Sequence, residues 1–213
     1  MNILNNKKIM NNLIDFKIIT LGNHFVGKTS IFKKYIYKVF GETKNTIGMN
    51  IYVKEKITLK NKKEVKLTLV DTAGTEKYKS VSKQYIKNAD GVLFVFSFDN
   101  LDSLQAIDQW IKIFTDYKSN ERRIPMYLIG NKNDLDHNVT DAEINNFLKK
   151  NEDFTFKSIS AKKDDDKINE LFEEMAEQLY EEYKKDENKS ITSVKLASGP
   201  RDKTVCFLVK CIT

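Results

Sequence analysis

The chain has 213 residues, 31% of them charged and 40% hydrophobic, with a formal charge of +6, which suits one globular domain with a tail. Its lysines are dispersed, with no basic run interleaved with aromatics, and this argues against a nucleic-acid partner. No apolar run approaches the roughly 20 residues that span a bilayer, so a membrane-spanning protein is not expected either.

Residues 1–14, rich in Asn and Lys, read as a flexible arm without the apolar core of a signal peptide, and Asn2 rules out N-myristoylation. A cytosolic protein is the expectation. Residues 16–21 form an apolar run of strand length, and Ile31, Tyr35 and Val39 recur at helical spacing after it, predicting a helix to about residue 39. Between them stands Gly22-Asn23-His24-Phe25-Val26-Gly27-Lys28-Thr29, which fits G-x-x-x-x-G-K-[ST]. Strand, glycine-bounded loop and helix in that order are what a phosphate loop requires. The glycines let successive N–H groups turn inward onto a polyphosphate, and the helix N-terminus adds its positive dipole end. Lys28 is expected at the terminal phosphates and Thr29 at a Mg²⁺ bridging them.

Residues 41–48 are polar and read as a mobile loop. Residues 49–59 and 64–70 alternate apolar and polar around Lys60-Asn61-Lys62-Lys63, a hairpin signal. Asp71-Thr72-Ala73-Gly74 ends the second strand. Asp71 there can hold Mg²⁺ through a water and the Gly74 N–H can touch a terminal phosphate, although the motif alone is equally a strand-end turn. Thr46 is a lone turn residue on its own terms, and in this loop its hydroxyl is a candidate second ligand for the metal. Residues 76–88 suggest a short helix, and residues 91–96 form the continuous apolar run of a central parallel strand.

Leu101, Leu104, Ile107, Trp110, Ile111 and Phe114 lie on one helical face, and residues 126–130 form the next buried strand. Thr140 with Glu143 predicts a capping box, residues 154–159 a last strand, and Ile168, Leu171, Phe172, Met175 and Leu179 the apolar stripe of a final helix. The alternation predicts a three-layer α/β fold. Its mostly parallel six-stranded sheet would carry helices on both faces and ligands at the carboxyl ends of the strands. The domain is set at residues 15–184, with a flexible tail over 185–213.

Asn131-Lys132-Asn133-Asp134 follows a buried strand. Taken alone it is also a polar turn, but an Asp there can accept both the ring N–H and the exocyclic amine of guanine, whereas adenine would leave it unpaired. Lys132 can lay its stem along the base, Phe40 can cover it from another loop, and Ser160-Ala161-Lys162 would present the Ala161 N–H to the guanine carbonyl.

The residues of the phosphate loop, Thr46, Asp71 to Gly74, Asn131 to Asp134 and Ser160 to Lys162 together resemble, in order and near their spacing, the five motifs of Ras-like small GTPases. Thr46-Ile47-Gly48-Met49-Asn50 and Lys77-Tyr78-Lys79-Ser80-Val81 look like the two switches of the Rab branch, and Trp110 is typical of it. The resemblance implies the small-GTPase fold and GTP/GDP binding with Mg²⁺ through Asn23, His24, Phe25, Val26, Gly27, Lys28, Thr29 and Ser30. It also implies a monomeric switch in vesicle traffic that works with effectors, an exchange factor, a GTPase-activating protein and an escort or GDP-dissociation inhibitor. Catalysis would involve Lys28, Thr46, Gly74 and the position of Thr75. Thr75 stands where the family has a glutamine that orients the attacking water, and His24 and Phe25 replace small residues. Val70 replaces a tryptophan usual in Rabs. Slow hydrolysis is therefore expected, with a largely GTP-locked scaffold as the alternative. Cys206 and Cys211 are the candidate prenylation sites, which would place the protein on the cytosolic face of endomembranes.

Overall fold

The computed structural model describes residues 13–41, 46, 48–74, 85–118 and 123–197. In chain order these form β1 (Ile14–Leu21), α1 (Lys28–Tyr37), β2 (Met49–Thr58), β3 (Glu64–Thr72), β4 (Gly91–Ser97) and α2 (Leu101–Gln105). There follow α3 (Ile107–Tyr117), β5 (Met126–Asn131), α4 (Asp141–Lys150), β6 (Phe154–Ser158) and α5 (Asp165–Ala197). The six strands make one sheet in the order β2-β3-β1-β4-β5-β6. β2 runs antiparallel to β3 and every other pairing is parallel. The expected architecture is therefore present. β1 lies between β3 and β4, so the loop leaving its carboxyl end opens at the point where the strand order reverses, the place where such sheets bind ligands.

Every residue of β4 is buried, because helices cover both faces of the sheet. On one face α1 meets α5, with the Tyr35 ring stacked 4.1 Å from that of Phe172. On the other, Ile107, Trp110 and Phe114 of α3 and Ile144 and Phe147 of α4 pack with Phe94 and Phe96. The Phe94 and Phe114 rings meet edge to face at 5.9 Å. Each such side chain contributes about 1.5–3 kcal/mol on burial, which fixes the strands that carry the site.

Three boundaries differ from the sequence expectation. α1 ends at Tyr37, short of residue 39, because Lys38 adopts the left-handed conformation (φ 57°) and its N–H closes on the Lys34 carbonyl. The apolar stripe from Leu101 to Phe114 is shared by two helices that meet at Ala106. α2 starts where the Asn100 side chain accepts the Ser103 N–H, a strong local start signal that periodicity does not register. α5 runs on to Ala197, beyond the start of the expected loose tail. The chain divides inside it into two compact units, one to Leu179 and one from Tyr180. In the second unit, ion pairs one turn apart, Lys185 with Glu182 (2.8 Å) and Lys184 with Glu187 (3.5 Å), favour helix where the apolar stripe has stopped. The capping box of α4 is formed as expected by Thr140 and Glu143. Most of the helix expected over 76–88 lies outside the described residues. Among the described residues no helix is long and apolar enough to cross a membrane.

Candidate functional site

The carboxyl ends of β1, β3, β4, β5 and β6 deliver the sequence motifs to one edge of the sheet. After β1 the chain passes through Gly22 to Gly27, whose φ of 94° is left-handed. A β-carbon at Gly27 would come within 2.2 Å of the Asn131 side-chain nitrogen, so glycine is required here for both conformation and space. Gly27 offers no side-chain cap to α1, and no acidic residue sits in the first turn, where Lys28, Thr29 and Ser30 lie. The first N–H groups of the helix are thus left for an anion.

Lys28 is buried at this loop, and its ammonium donates to the carbonyls of Gly22 (2.9 Å) and Asn23 (2.7 Å). Burial lowers its pKa to about 8, against the opposing pull of Asp71. Phosphate oxygens would serve this cation better than two neutral carbonyls. The Asn131 amide donates to the Val26 carbonyl at 2.8 Å, and the Trp110 indole N–H donates to Asn23 Oδ1 at 3.0 Å, so the loop is tied from two other elements. Phe25 holds φ 61°, an outlier for a bulky side chain, and is 67% exposed, its ring 5.0 Å from that of His24.

Asp71, at the end of β3, is fully buried. Its Oδ2 accepts from Thr29 Oγ1 at 2.7 Å and Thr46 Oγ1 at 3.3 Å, and the two hydroxyls lie 3.0 Å apart. Thr46, a lone turn residue in the sequence, is therefore brought to Thr29 and Asp71. Burial raises the pKa of the Asp71 carboxyl, opposed by Thr29, Lys28, Thr46 and Asn50. Its Oδ1 is buried with no hydrogen-bond partner among the described residues. A carboxylate with an orphaned oxygen, converging with two hydroxyls, fits a hard oxygen-seeking cation. With no larger His, Cys, Asp and Glu cluster among the described residues, such a cation would complete its shell from phosphates and water, as Mg²⁺ does. Gly74 lies against the loop: a β-carbon there would come within 2.3 Å of the His24 nitrogen.

At the other end Asp134 Oδ1 accepts from Ser160 Oγ at 2.6 Å, which orients the carboxylate. The Ala161 N–H, expected at a guanine carbonyl, has a partner within the chain. It donates to Asn131 Oδ1 at 3.0 Å, while the Lys162 N–H goes to Ser160 Oγ at 3.2 Å. Asn131 and Ala161 are thus partners, and Asn131 links the loop after β6 to the phosphate loop. Phe40 is 50% exposed. Thr75, Cys206 and Cys211 lie outside the described residues. The Trp110 to Asn23 bond and the ion pair of Lys132 with Asp99 (3.2 Å) are not foreshadowed in the sequence, since both are made across long separations that no local pattern marks.

A mostly parallel sheet with these loops at its carboxyl edge defines the small-GTPase fold. The Ras family matches residues 17–181. Ras-related protein Rab-7b of Mus musculus is 31% identical over 196 residues, which cover 91% of this chain and 97% of the relative. Ras-related protein SEC4 of Saccharomyces cerevisiae is 30% identical over 200 residues, 89% of this chain and 90% of the relative. Ras-related protein RabP of Dictyostelium discoideum is 38% identical over 126 residues, 59% of this chain and 52% of the relative. The chain belongs to the Ras family of small GTPases and is of the Rab type.

Proposed function

We propose that the loops at the carboxyl edge of the sheet bind GTP and GDP with Mg²⁺ and that the protein is a slow switch recruiting effectors in vesicle traffic. The observation that carries this reading is the convergence of Lys28, Thr29, Thr46 and Asp71 at the same carboxyl edge of the sheet that carries Asn131, Lys132 and Asp134. The phosphates would displace the Gly22 and Asn23 carbonyls from Lys28 and receive the N–H groups of the loop. Thr29, Thr46 and Asp71 would hold the Mg²⁺, which neutralises charge developing on the phosphates. Asp134 would select guanine through its ring N–H and amine, and Lys132 and Phe40 would cover the base.

Hydrolysis by this fold depends on holding one water in line with the terminal phosphate. Thr75 is too short to donate and accept across the span of a glutamine carboxamide. His24, exposed on the loop beside Gly74, narrows access for an arginine supplied by an activating protein. An activator of the Rab branch bringing both arginine and glutamine would still allow a cycle. Prenylation at Cys211, with Cys206 as a second site, would anchor the tail to endomembranes, and exchange factor and GDP-dissociation inhibitor would complete the cycle. Single-turnover GTP hydrolysis tests the slow step. Thr75→Gln is expected to raise the rate about tenfold, and a wild type that already turns over as fast as the variant removes the role given to this position.

A further inference from the structure

The chain leaving β4 does more than connect it to α2. Phe98 and Asp99 touch the loop after β5 at both of its ends and near its tip. The Phe98 N–H donates to the Asn131 carbonyl at 3.0 Å, and the Phe98 carbonyl accepts from the N–H groups of Asn138 (2.8 Å) and Val139 (3.1 Å). The Phe98 ring lies against Gly130, where a β-carbon would come within 2.6 Å of it, and stacks on the His137 ring at 4.2 Å. His137 Nε2 is in turn 3.2 Å from the Asn133 carbonyl. The Asn138 amide donates to the Asp99 carbonyl at 2.8 Å. Two consecutive residues thus hold Asn131, Asn138 and Val139 directly and Asn133 through His137.

Within this frame stands Lys132, whose φ of 62° is left-handed, an uncommon conformation for a residue with a long side chain. Its ammonium reaches Asp99 Oδ2 at 3.2 Å, while Asp99 Oδ1 accepts from the Ser97 hydroxyl. Burial tends to push the Asp99 carboxyl up, but the Ser97 and Lys132 hydrogen bonds and the Lys132 charge outweigh it and hold it below the usual carboxylate range. We propose that Asp99 is a positioning residue for base recognition: by tethering the Lys132 ammonium it fixes the lysine stem over the purine site and so lengthens nucleotide residence. The inference rests on the guanine-nucleotide reading of the site. Its chemistry is specific to an ionised side chain at this place. A lysine free to sample its rotamers must be ordered at each binding event, whereas one already tethered is not. Both side chains are about one-third exposed (31% and 34%), so the tether weakens with salt.

The test uses the full chain loaded with N-methylanthraniloyl-GDP and Mg²⁺, chased with excess GDP or, separately, excess ATP. Asp99→Asn is expected to release the probe about tenfold faster than wild type, with a flatter dependence on salt. Lys132→Gln is expected to release it faster still, and adding Asp99→Asn to Lys132→Gln is expected to change nothing further, because the tether has already lost its other end. Release by Asp99→Asn at the wild-type rate overturns the proposal. So does an equal acceleration in the Lys132→Gln background, since that is the behaviour of a residue that merely supports the loop. A wild type that ATP strips of the probe as readily as GDP overturns the guanine-nucleotide reading itself, a result distinct from either.

Discussion

The two ends of the candidate site are built on opposite terms. At the phosphate end Lys28 is a buried cation whose hydrogen-bond partners among the described residues are two carbonyls, and Asp71 has a buried oxygen with none among them. At the base end Asp134 is held by Ser160, Asn131 by Val26 and Ala161, and Lys132 by Asp99. The polar groups of the second end satisfy one another, whereas at the first, among the described residues, a buried carboxylate oxygen does not find a partner. A ligand that binds only the folded chain stabilises it by mass action, and here the phosphates and their metal would relieve the strain while the base finds a receptor already shaped. Affinity is then expected to come mainly from the incomplete end and selectivity from the finished one.

The largest effect that would break this comparison is at the base end. Asp134→Asn should lower GTP affinity by about 3–6 kcal/mol, since two charge-assisted hydrogen bonds are lost. It should raise affinity for xanthine nucleotides, whose carbonyl replaces the guanine amine. Because asparagine can still accept from Ser160, its unfolding free energy without nucleotide should stay near that of the wild type. Calorimetric titration with GTP and xanthosine triphosphate, alongside chemical denaturation, separates the two; a variant that unfolds readily would show that the base end is not self-sufficient.

A smaller effect sharpens the phosphate end. The folded pKa of Lys28, about 8, lies below the ordinary value of 10.5. Between those values the unfolded chain binds a proton that the folded chain has lost, so this lysine's contribution to stability rises with pH across that window and is unfavourable below it. Denaturation of the nucleotide-free protein should show wild type gaining on Lys28→Met by on the order of 2–3 kcal/mol from pH 8 to 10.5. Parallel pH profiles for the two would mean that Lys28 is not the strained group.

The smallest expected effect concerns the tie from α3. Trp110→Phe keeps an aromatic in the core but loses the donor to Asn23, at a cost of about 1–2 kcal/mol. Release of a fluorescent GDP should quicken by a few fold with base preference unchanged. A change in the GTP-to-ATP ratio would show instead that the two ends are not separable through this contact.

The sequence by itself determined the order of the six strands and of the helices α1, α3, α4 and α5, because each is written in a local period that the burial of one face enforces. It also marked Gly22 to Thr29 as a glycine-bounded loop between a strand and a helix, because that pattern lies within eight neighbouring residues. The capping box of α4 was legible for the same reason. Tertiary structure decided which distant groups meet. Thr46 gained its meaning only beside Thr29 and Asp71, the Ala161 N–H proved to be taken by Asn131, and Asn23 was claimed by Trp110 from 87 residues away. It also decided that Lys132 would be held by Asp99 from the turn after the neighbouring strand β4, 33 residues before it. Hydrogen bonds and ion pairs of this kind depend on distances of about 3 Å, and those are set by how the strands are ordered in the sheet and not by spacing along the chain.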